Sequence, residues 1–435
     1  MSICKIVKGG VCSAKGFRAA GVAAEIKYKG RNDVALIVAD EPCAAAAVFT
    51  TNKVAAAPVL YDREVLRRQE CRRPELSAAA GRSSVGAATF LSPRGGGPRI
   101  QAILANSGCA NACTGKTGLR DAELSALATA GELGIDPKHV LVASTGVIGR
   151  PLPMGRLLAG MKQAAKKLGR TSAHGLAAEK AVMTTDTKPK QACVVTKIGG
   201  KTVTVGGMSK GSGMIEPNMA TMLGFITTDA AITPTMLTRA LFLAINKSFN
   251  RLVVDGDEST NDSVFLLASG KAGNAAIAKA GRDFDAFREA LEAVCVSLAK
   301  QMATDGEGAT KFVTVTVKGA RSEQDAARAA RAVAKSPLSK TSWFGRDPNW
   351  GRVLAAVGYS GADVVDMKTE VFYDKVWAFR CGKVADAAQL KKLEKVLKKD
   401  AFEVVVDLHL GKGESSIYTC DFSLDYVHIN ADYTT

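Results

Sequence analysis

The sequence contains few of the residues from which metal sites, disulfide scaffolds and base-stacking surfaces are built. Only four of its 435 residues are histidines, they lie far apart, and no HExxH motif occurs, so no metal site is predicted. The ten cysteines are widely spaced and form no CxxC pair, which favours reduced thiols over disulfides. Aromatic residues make up 6% of the chain, and none interleave with its basic segments in the way that base stacking requires.

Long apolar runs are also missing. The longest, such as 33–40 and 43–49, fall far short of the roughly 20 residues that a membrane-spanning helix needs. The first ten residues lack the apolar core of a signal peptide and are too few for a full transit peptide. We therefore expect no membrane partner and a cytoplasmic location, with the chloroplast stroma or mitochondrial matrix as the alternative if a transit peptide has been removed.

The chain carries a formal charge of +16, from 58 Lys and Arg against 42 Asp and Glu. Such an excess is typical of proteins that bind nucleic acids or anionic membranes. The basic residues cluster at 63–73, 162–170 and 391–399, and the last two clusters have the pattern of solvated faces of amphipathic helices. We therefore predict no nucleic-acid partner, although a basic nucleic-acid binder is kept as a competing hypothesis.

Apolar and charged residues, at 47% and 23%, are in the proportions of a folded globular protein. Apolar runs alternate with amphipathic segments, which predicts a layered α/β fold. The predicted strands lie at 33–40, 44–51, 100–106, 140–143, 221–228, 311–318, 370–380 and 402–409, with a hairpin at 192–205. The predicted helices lie at 152–168, 173–182, 235–250, 283–302, 323–334 and 386–399. An irregular Arg-rich segment at 71–99 is interpreted as a surface insertion, and a smaller structural domain is expected from about 283 to 435.

Two glycine-containing turns follow predicted strands. GCANACTGKT at 108–117 has six residues between its first glycine and GK, where a Walker A loop has four, so an ordinary turn is the better interpretation. STGVIG at 144–149 lies between a strand and a helix, where small residues would let backbone amides face a ligand, as in an oxyanion hole. By composition alone, an ordinary strand-to-helix turn is the favoured interpretation of this second motif.

The segment 210–228, KGSGMIEPNMATMLGFITT, combines a lysine, flexible glycines and a threonine at the start of a strand. A threonine there could attack the preceding carbonyl, and hydrolysis of the resulting ester would free a threonine whose own α-amine can act as a base. That amine has a reference pKa of about 7.7–8.0, so it can accept a proton near neutrality. Pattern alone still favours an ordinary buried strand.

These residues resemble the self-cleavage segment of the ornithine acetyltransferase (ArgJ) family of arginine biosynthesis. Further segments resemble that family in the same order along the whole chain: GFRAAGVAA (16–24), AAAVFTTN (45–52), STGVIG (144–149), TTDT (184–187), NRLVVDGDESTND (250–262), DGEGATK (305–311), GRDPNWGRV (345–353) and NADYTT (430–435). The main departure is the segment 71–99, which is longer than is usual in the family.

The resemblance implies an α/β (α+β layered) fold of the self-cleaving N-terminal-nucleophile type seen in ArgJ and DmpA proteins. Stacked sheets flanked by helices, with a smaller α/β region at the C-terminal end, are expected. Cleavage between Ala220 and Thr221 would give an α chain, 1–220, and a β chain, 221–435. The implied assembly is a heterotetramer of two α and two β chains.

The resemblance also assigns roles to individual residues. Thr221 would be the nucleophile, and Thr145 with Gly146 would form the oxyanion hole. The implied substrate-binding residues are Thr184 (or its neighbour Thr185), Lys210, Thr221, Glu307, Asn430 and Thr435. The tail that carries Asn430 and Thr435 would then have to fold back into the site.

The implied reaction is a ping-pong transfer of acetyl from N2-acetylornithine to glutamate through an acetylated Thr221. No bound cofactor is expected, although acetyl-CoA could serve as a further donor substrate. The alternative is an N-terminal-threonine amidohydrolase or aminopeptidase, in which water takes the acyl group. Acetylated enzyme incubated with and without glutamate would distinguish the two, because transfer predicts labelled N-acetylglutamate and little free acetate.

Overall fold

The computed structural model describes residues 4–70, 97–216 and 222–432, which form a layered α/β structure built on two sheets. The layered fold predicted from the sequence is thus confirmed. The larger sheet of the described residues has nine strands: β1 (Lys5–Val7), β2 (Phe17–Val22), β3 (Val34–Phe49), β4 (Arg99–Asn106), β5 (Val140–Ser144), β6 (Lys190–Ile198), β7 (Lys201–Lys210), β8 (Leu223–Thr228) and β9 (Ser263–Ala268). Their order is β1-β6-β7-β8-β9-β3-β4-β5, with β2 paired to β3.

Helices cover both faces of this sheet. They are α1 (Ala57–Glu70), α2 (Gly115–Leu133), α3 (Met154–Lys166), α4 (Ser172–Val182), α5 (Pro234–Asn246) and α6 (Arg282–Thr304). The apolar sides of α5 and α6 pack on one face of β6 to β9, and α4 packs on the opposite face. None of the described helices combines the length and the apolarity needed to cross a bilayer.

Strand β8 shows why the segment after position 221 is so apolar. All six of its residues are buried. Leu223 and Phe225 point into the core that contains α4, whereas Ile226 points into the core that contains α5 and α6. A strand covered on both faces needs apolar side chains at successive positions, so the prediction of a mostly buried strand here is confirmed.

The segment predicted as two strands, 33–40 and 44–51, is a single bent strand. β3 runs through Pro42, and its pairing with β4 shifts register between Val38 and Cys43. Proline lacks the amide that a regular ladder needs, so the irregularity falls where Pro42 interrupts the apolar pattern. The bend lets the first half of β3 pair with β2 and the second half with β9.

The smaller sheet has six strands among the described residues: β10 (Phe312–Ala320), β11 (Glu370–Tyr373), β12 (Val376–Arg380), β13 (Lys383–Val384), β14 (Ala401–Asp407) and β15 (Gly413–Cys420). Their order is β13-β12-β11-β14-β10-β15. The C-terminal helices are α7 (Glu323–Lys335), α8 (Pro337–Phe344), α9 (Trp350–Gly358), α10 (Ala387–Leu397) and α11 (Leu424–Asp432). Alternate valines of β10, such as Val313 and Val315, pack with Ala326 and Val333 of α7.

Several predicted elements differ in extent. The helix predicted at 235–250 ends at Asn246, where the Ser248 hydroxyl donates to the Ala244 carbonyl at 2.6 Å and competes with the next helical turn. The strand predicted at 370–380 is a hairpin of β11 and β12 that turns at Asp374, whose φ is +52°. The predicted insertion at 71–99 lies outside the described residues except for 97–99.

Ten elements were not predicted from the sequence: α1, α2, α8, α9, α11, β1, β2, β9, β13 and β15. The pattern of α2 is weak because its buried residues are Gly, Ala, Ser and Thr with Asp121, and these do not form an apolar stripe. α9 begins two residues after Pro348 and is only nine residues long.

Candidate functional site

The turn at 145–149 follows β5 and has a backbone that only glycine fits at position 146. Gly146 has a φ of +128°, and a Cβ there would lie 2.5 Å from the carbonyl carbon of Gly108 and 2.7 Å from the amide nitrogen of Cys109. Contacts that short do not occur for real side chains, so the close approach of the two turns requires glycine. The amides of Thr145 and Gly149 donate to carbonyls of neighbouring loops, whereas the Gly146 amide has no acceptor among the described residues.

Two asparagines hold this turn. The side-chain amide of Asn261 donates to the carbonyls of Ser144 at 2.8 Å and Ala110 at 2.6 Å. The side chain of Asn106 accepts from the Ser144 hydroxyl at 2.7 Å. Because these bonds are buried, they fix the position of the Thr145 and Gly146 backbone.

Lys210 lies at the end of β7 and contacts the same turn. Its Nζ donates to Oγ1 of Thr145 at 3.2 Å, and the lysine is 8% exposed. Burial lowers the pKa of Lys210, and the nearby carboxylates of Asp186 and Asp262 oppose that shift. The contact therefore places a buried ammonium group next to the Thr145 hydroxyl.

Lys210 is also paired with Leu223, the first residue of β8. Leu223 comes two residues after Thr221 in the sequence. Three residues to which the sequence analysis assigns roles, Ala220, Thr221 and Thr435, lie outside the described residues. The described chain resumes after Thr221 at Met222, which is buried. The Met222 carbonyl accepts from the Ser263 amide at 3.0 Å.

The loop after Lys210 contacts the Thr184 turn. The hydroxyl of Ser212 and Oγ1 of Thr185 are 2.7 Å apart. The Thr184 amide donates to Asp186 Oδ2 at 3.0 Å, and its carbonyl accepts from the Arg31 guanidinium at 2.9 Å. Of the two threonines considered for substrate binding, Thr185 is thus the one whose hydroxyl faces the 211–213 loop.

Glu307 contacts the same loop. Its amide donates to the Ser212 carbonyl at 2.8 Å, and a Cβ on Gly213 would lie 2.3 Å from its carboxyl group. The side-chain amide of Asn430 donates to Glu307 Oε2 at 2.9 Å. Helix α11 thus brings the described part of the C-terminal tail against the loop that carries Glu307.

The structure therefore connects the six predicted site residues that it describes. Lys210 contacts Thr145, the loop that follows Lys210 contacts Glu307, and Glu307 contacts Asn430. A buried ammonium group and a carboxylate therefore both lie beside the 211–213 loop. This arrangement can bind a small molecule that carries a carboxylate and an amine, such as an amino acid.

Sequence reasoning missed a set of buried charges next to this site. Lys190 Nζ lies 2.7 Å from Asp186 Oδ1 and 2.6 Å from Asp305 Oδ2. The signal available in the sequence is a lysine next to the apolar run 192–195 of strand β6, since a buried lysine needs a carboxylate partner. Elsewhere in the described chain no group of three His, Cys, Asp or Glu side chains could hold a metal ion.

Comparison with known proteins places these residues in a family context. The model of the ArgJ family matches residues 18–435. The arginine biosynthesis bifunctional protein ArgJ of Geobacter sulfurreducens is 48% identical over 423 residues, covering 97% of this chain and 100% of that protein. The glutamate N-acetyltransferase of Methanocaldococcus jannaschii is 43% identical over 441 residues, covering 99% and 100%. A crystal structure of ArgJ from Bacillus halodurans is 40% identical with a TM-score of 0.47, covering 49% of this chain and 100% of that chain.

Proposed function

The chain belongs to the ArgJ family and is an acetyltransferase of arginine biosynthesis, and we propose that it moves acetyl from N2-acetylornithine to glutamate through an ester on Thr221. The observation that supports this most directly is the contact of Lys210 with Thr145, because it joins a cation to the turn expected to hold the oxyanion. Lys210 is paired with Leu223 at the start of β8, the strand that follows Thr221.

The nucleophile is proposed to form by self-cleavage. Oγ of Thr221 attacks the carbonyl carbon of Ala220, the C–N bond breaks, and the hydroxyl proton passes to the freed amine. Water then hydrolyses the ester and leaves a carboxyl group on Ala220 and an N-terminal Thr221. The described chain is anchored on both sides of this peptide, since the Glu216 amide donates to the Asp257 carbonyl at 3.0 Å and Met222 is bound to Ser263.

Acetyl transfer then follows in two similar steps. The Thr221 hydroxyl attacks the acetyl carbonyl, its α-amine accepts the proton, and ornithine leaves with that proton. The amine of glutamate next attacks the acetyl ester, the bond between the acetyl carbon and the Thr221 oxygen breaks, and the proton lost by the amine returns through the α-amine to that oxygen, which releases N-acetylglutamate. The two products leave in turn, so the enzyme returns to its starting state.

The oxyanion of each step is proposed to be bound by the Thr145 hydroxyl and the Gly146 amide. Each donor of this kind is worth about 3–4 kcal/mol, or 100- to 1000-fold in rate. The Thr145 hydroxyl accepts a hydrogen bond from Lys210, which polarises it and strengthens it as a donor. The Gly146 amide has no acceptor among the described residues, so it is available for this role.

The two ends of the substrate are proposed to bind at Lys210 and Glu307, beside the 211–213 loop. Lys210 has three N–H donors, of which Thr145 takes one, and the others suit an α-carboxylate. Glu307 suits an amine, and Asn430 orients its carboxylate. Thr184 and Thr435 are proposed to complete the pocket, with Thr435 reaching it from the end of the tail.

Further properties of the protein remain proposals. They are an assembly of two α chains (1–220) and two β chains (221–435), the absence of a bound cofactor, acetyl-CoA as an additional donor, and a cytoplasmic location. The smaller structural domain from about residue 283 also stays a prediction.

Self-cleavage gives the most direct test. The expressed protein is expected to run as fragments of 220 and 215 residues, the second with an N-terminal threonine. Thr221→Ala is expected to stay intact and inactive, whereas Thr235→Ala, at an exposed position of α5, is expected to cleave and react as the wild type does. An intact wild-type chain with full activity would refute the mechanism.

A further inference from the structure

Three charged side chains form a buried cluster beside the proposed site. The buried charge cluster consists of Asp186, Lys190 and Asp305, whose side chains are 0%, 1% and 4% exposed. Lys190, at the start of β6, bridges the two carboxylates at 2.7 and 2.6 Å. Although burial acts against it, the positive charges of Lys190 and Lys210 lower the pKa of Asp186 to about 2, so Asp186 is ionised.

Asp186 binds the backbone of two segments that carry predicted site residues. Its Oδ2 accepts from the Thr184 amide at 3.0 Å, and its Oδ1 accepts from the Gly211 amide at 2.6 Å. Gly211 is the residue directly after Lys210. One carboxylate therefore fixes both the Thr184 turn and the end of β7.

Asp305 connects a third segment, the loop that carries Glu307, to residues 187–188. Its carboxylate accepts from the amides of Thr187 at 3.0 Å and Lys188 at 3.3 Å, and also from the Thr187 hydroxyl. Two residues later, the Glu307 amide donates to the Ser212 carbonyl at 2.8 Å. The position of Glu307 is therefore set from one side by Asp305 and from the other by the loop after Lys210.

A buried ion pair of this kind contributes little net stability, because the cost of removing charges from water offsets their attraction. The cluster instead fixes the positions of the backbone groups that donate hydrogen bonds to its two carboxylates. We infer that Asp186, Lys190 and Asp305 are positioning residues for acetyl transfer, which hold Lys210 and Glu307 at the spacing that the two ends of the amino-acid substrate require. This inference rests on the proposed role of Lys210 in binding the substrate carboxylate.

The cluster also sets the charge around Lys210. Burial lowers the pKa of Lys210, Asp186, Asp262 and Glu307 raise it, and Lys190 lowers it further. These are the charged groups that face Lys210 from the elements around it. Asp186 and Lys190, two members of the cluster, therefore shift the pKa of Lys210 in opposite directions.

This opposition gives an experiment that separates positioning from support of the fold. The rate of acetyl transfer from N2-acetylornithine to glutamate would be measured against pH for the cleaved wild type, Asp186→Asn and Lys190→Gln. Asp186→Asn is expected to move the alkaline limit of kcat/KM to lower pH by about one unit, because a negative charge near Lys210 is lost. Lys190→Gln is expected to move it to higher pH.

Asp363→Asn, in an exposed ion pair with Arg321, is expected to leave the profile unchanged. A purely structural cluster would lower kcat/KM equally at every pH in both variants, and that result would overturn the inference. If Asp186→Asn fails to fold or to cleave, the profile of Lys190→Gln decides, and failure of both variants to fold also overturns the inference.

A separate variant distinguishes this inference from the proposed function. Lys210→Met is expected to lose at least about 100-fold in kcat/KM, since it removes the partner of the carboxylate. Wild-type activity in Lys210→Met would refute the proposed binding mode itself. An inactive Lys210→Met combined with unshifted profiles in the two cluster variants would refute the positioning role alone.

Discussion

Lys210 and Thr145 are 65 residues apart in the sequence, yet Nζ of the first donates to Oγ1 of the second at 3.2 Å inside the protein. Thr145 uses its backbone amide to bind the Asn106 carbonyl, so the hydroxyl is the group that it presents to Lys210. The pair joins the end of β7 to the turn after β5, and these two strands are not neighbours in the sheet. Much of the proposed chemistry depends on this contact.

Removal of the Thr145 hydroxyl should slow the chemical step. Thr145→Val keeps the shape of the side chain but loses the donor, so kcat should fall by about 100- to 1000-fold with little change in KM. Steady-state kinetics on cleaved protein measure this. Thr145→Ser retains the hydroxyl and should keep most of the activity, and equal losses in the two variants would contradict the oxyanion role.

A side chain at position 146 should destabilise the protein. Gly146→Ala places a Cβ 2.5 Å from the Gly108 carbonyl carbon at a φ of +128°, so we expect a loss of about 2–4 kcal/mol in the free energy of unfolding, and a loss of activity. Urea denaturation measures the first. Gly149→Ala is the matched control, because its φ is +81° but a Cβ there would contact nothing within 4 Å. It should cost only about 1 kcal/mol.

The contact between the tail and Glu307 should affect substrate binding. Asn430→Ala removes the donor to Glu307 Oε2, and we expect KM for N2-acetylornithine to rise by about 10-fold, the equivalent of one hydrogen bond to a charged group. His428→Ala, at an exposed position of the same helix, should leave KM unchanged. An unaltered KM in Asn430→Ala would exclude α11 from the binding site.

Glu179 should make the stability of the protein depend on pH. Burial raises the pKa of this α4 carboxyl to about 8, from an ordinary value of 4.5. Between these values the folded state holds a proton that the unfolded chain has released, so the free energy of unfolding should fall as the pH rises from 4.5 to 8. Glu179→Gln should remove this dependence, so its free energy of unfolding relative to that of the wild type should rise by about 4 kcal/mol between pH 4.5 and pH 8.

Urea denaturation at pH 5 and pH 8 would test this. The exposed substitution Glu289→Gln serves as the control and should follow the wild type at both values. Parallel pH dependence in Glu179→Gln and the wild type would show that other groups are responsible.

The local pattern of the sequence predicted elements better than it predicted contacts. The run of apolar residues in β8 indicated a buried strand, because burial on both faces favours an apolar residue at each position whatever its neighbours are. The bond from Lys190 to Asp305 spans 115 residues, and no spacing rule relates them. The roles of Thr145, Lys210 and Asn430 came from the family resemblance, since their proximity depends on how the strands are ordered in the sheet. Composition alone interpreted the turn at 144–149 as ordinary.

The order of strands in the larger sheet has a consequence for any protein cut between β7 and β8. The two strands that follow the cut, β8 and β9, are bonded on one side to β7 and on the other to β3, both of which precede it. The first fragment alone would leave β7 and β3 as separate unpaired edges of the larger sheet. In the second fragment the pair of β8 and β9 would have no neighbouring strands, although the smaller sheet lies wholly within that fragment. Strands of the second fragment thus lie between strands of the first within one sheet. Their backbone hydrogen bonds hold the two fragments together after the peptide bond is broken.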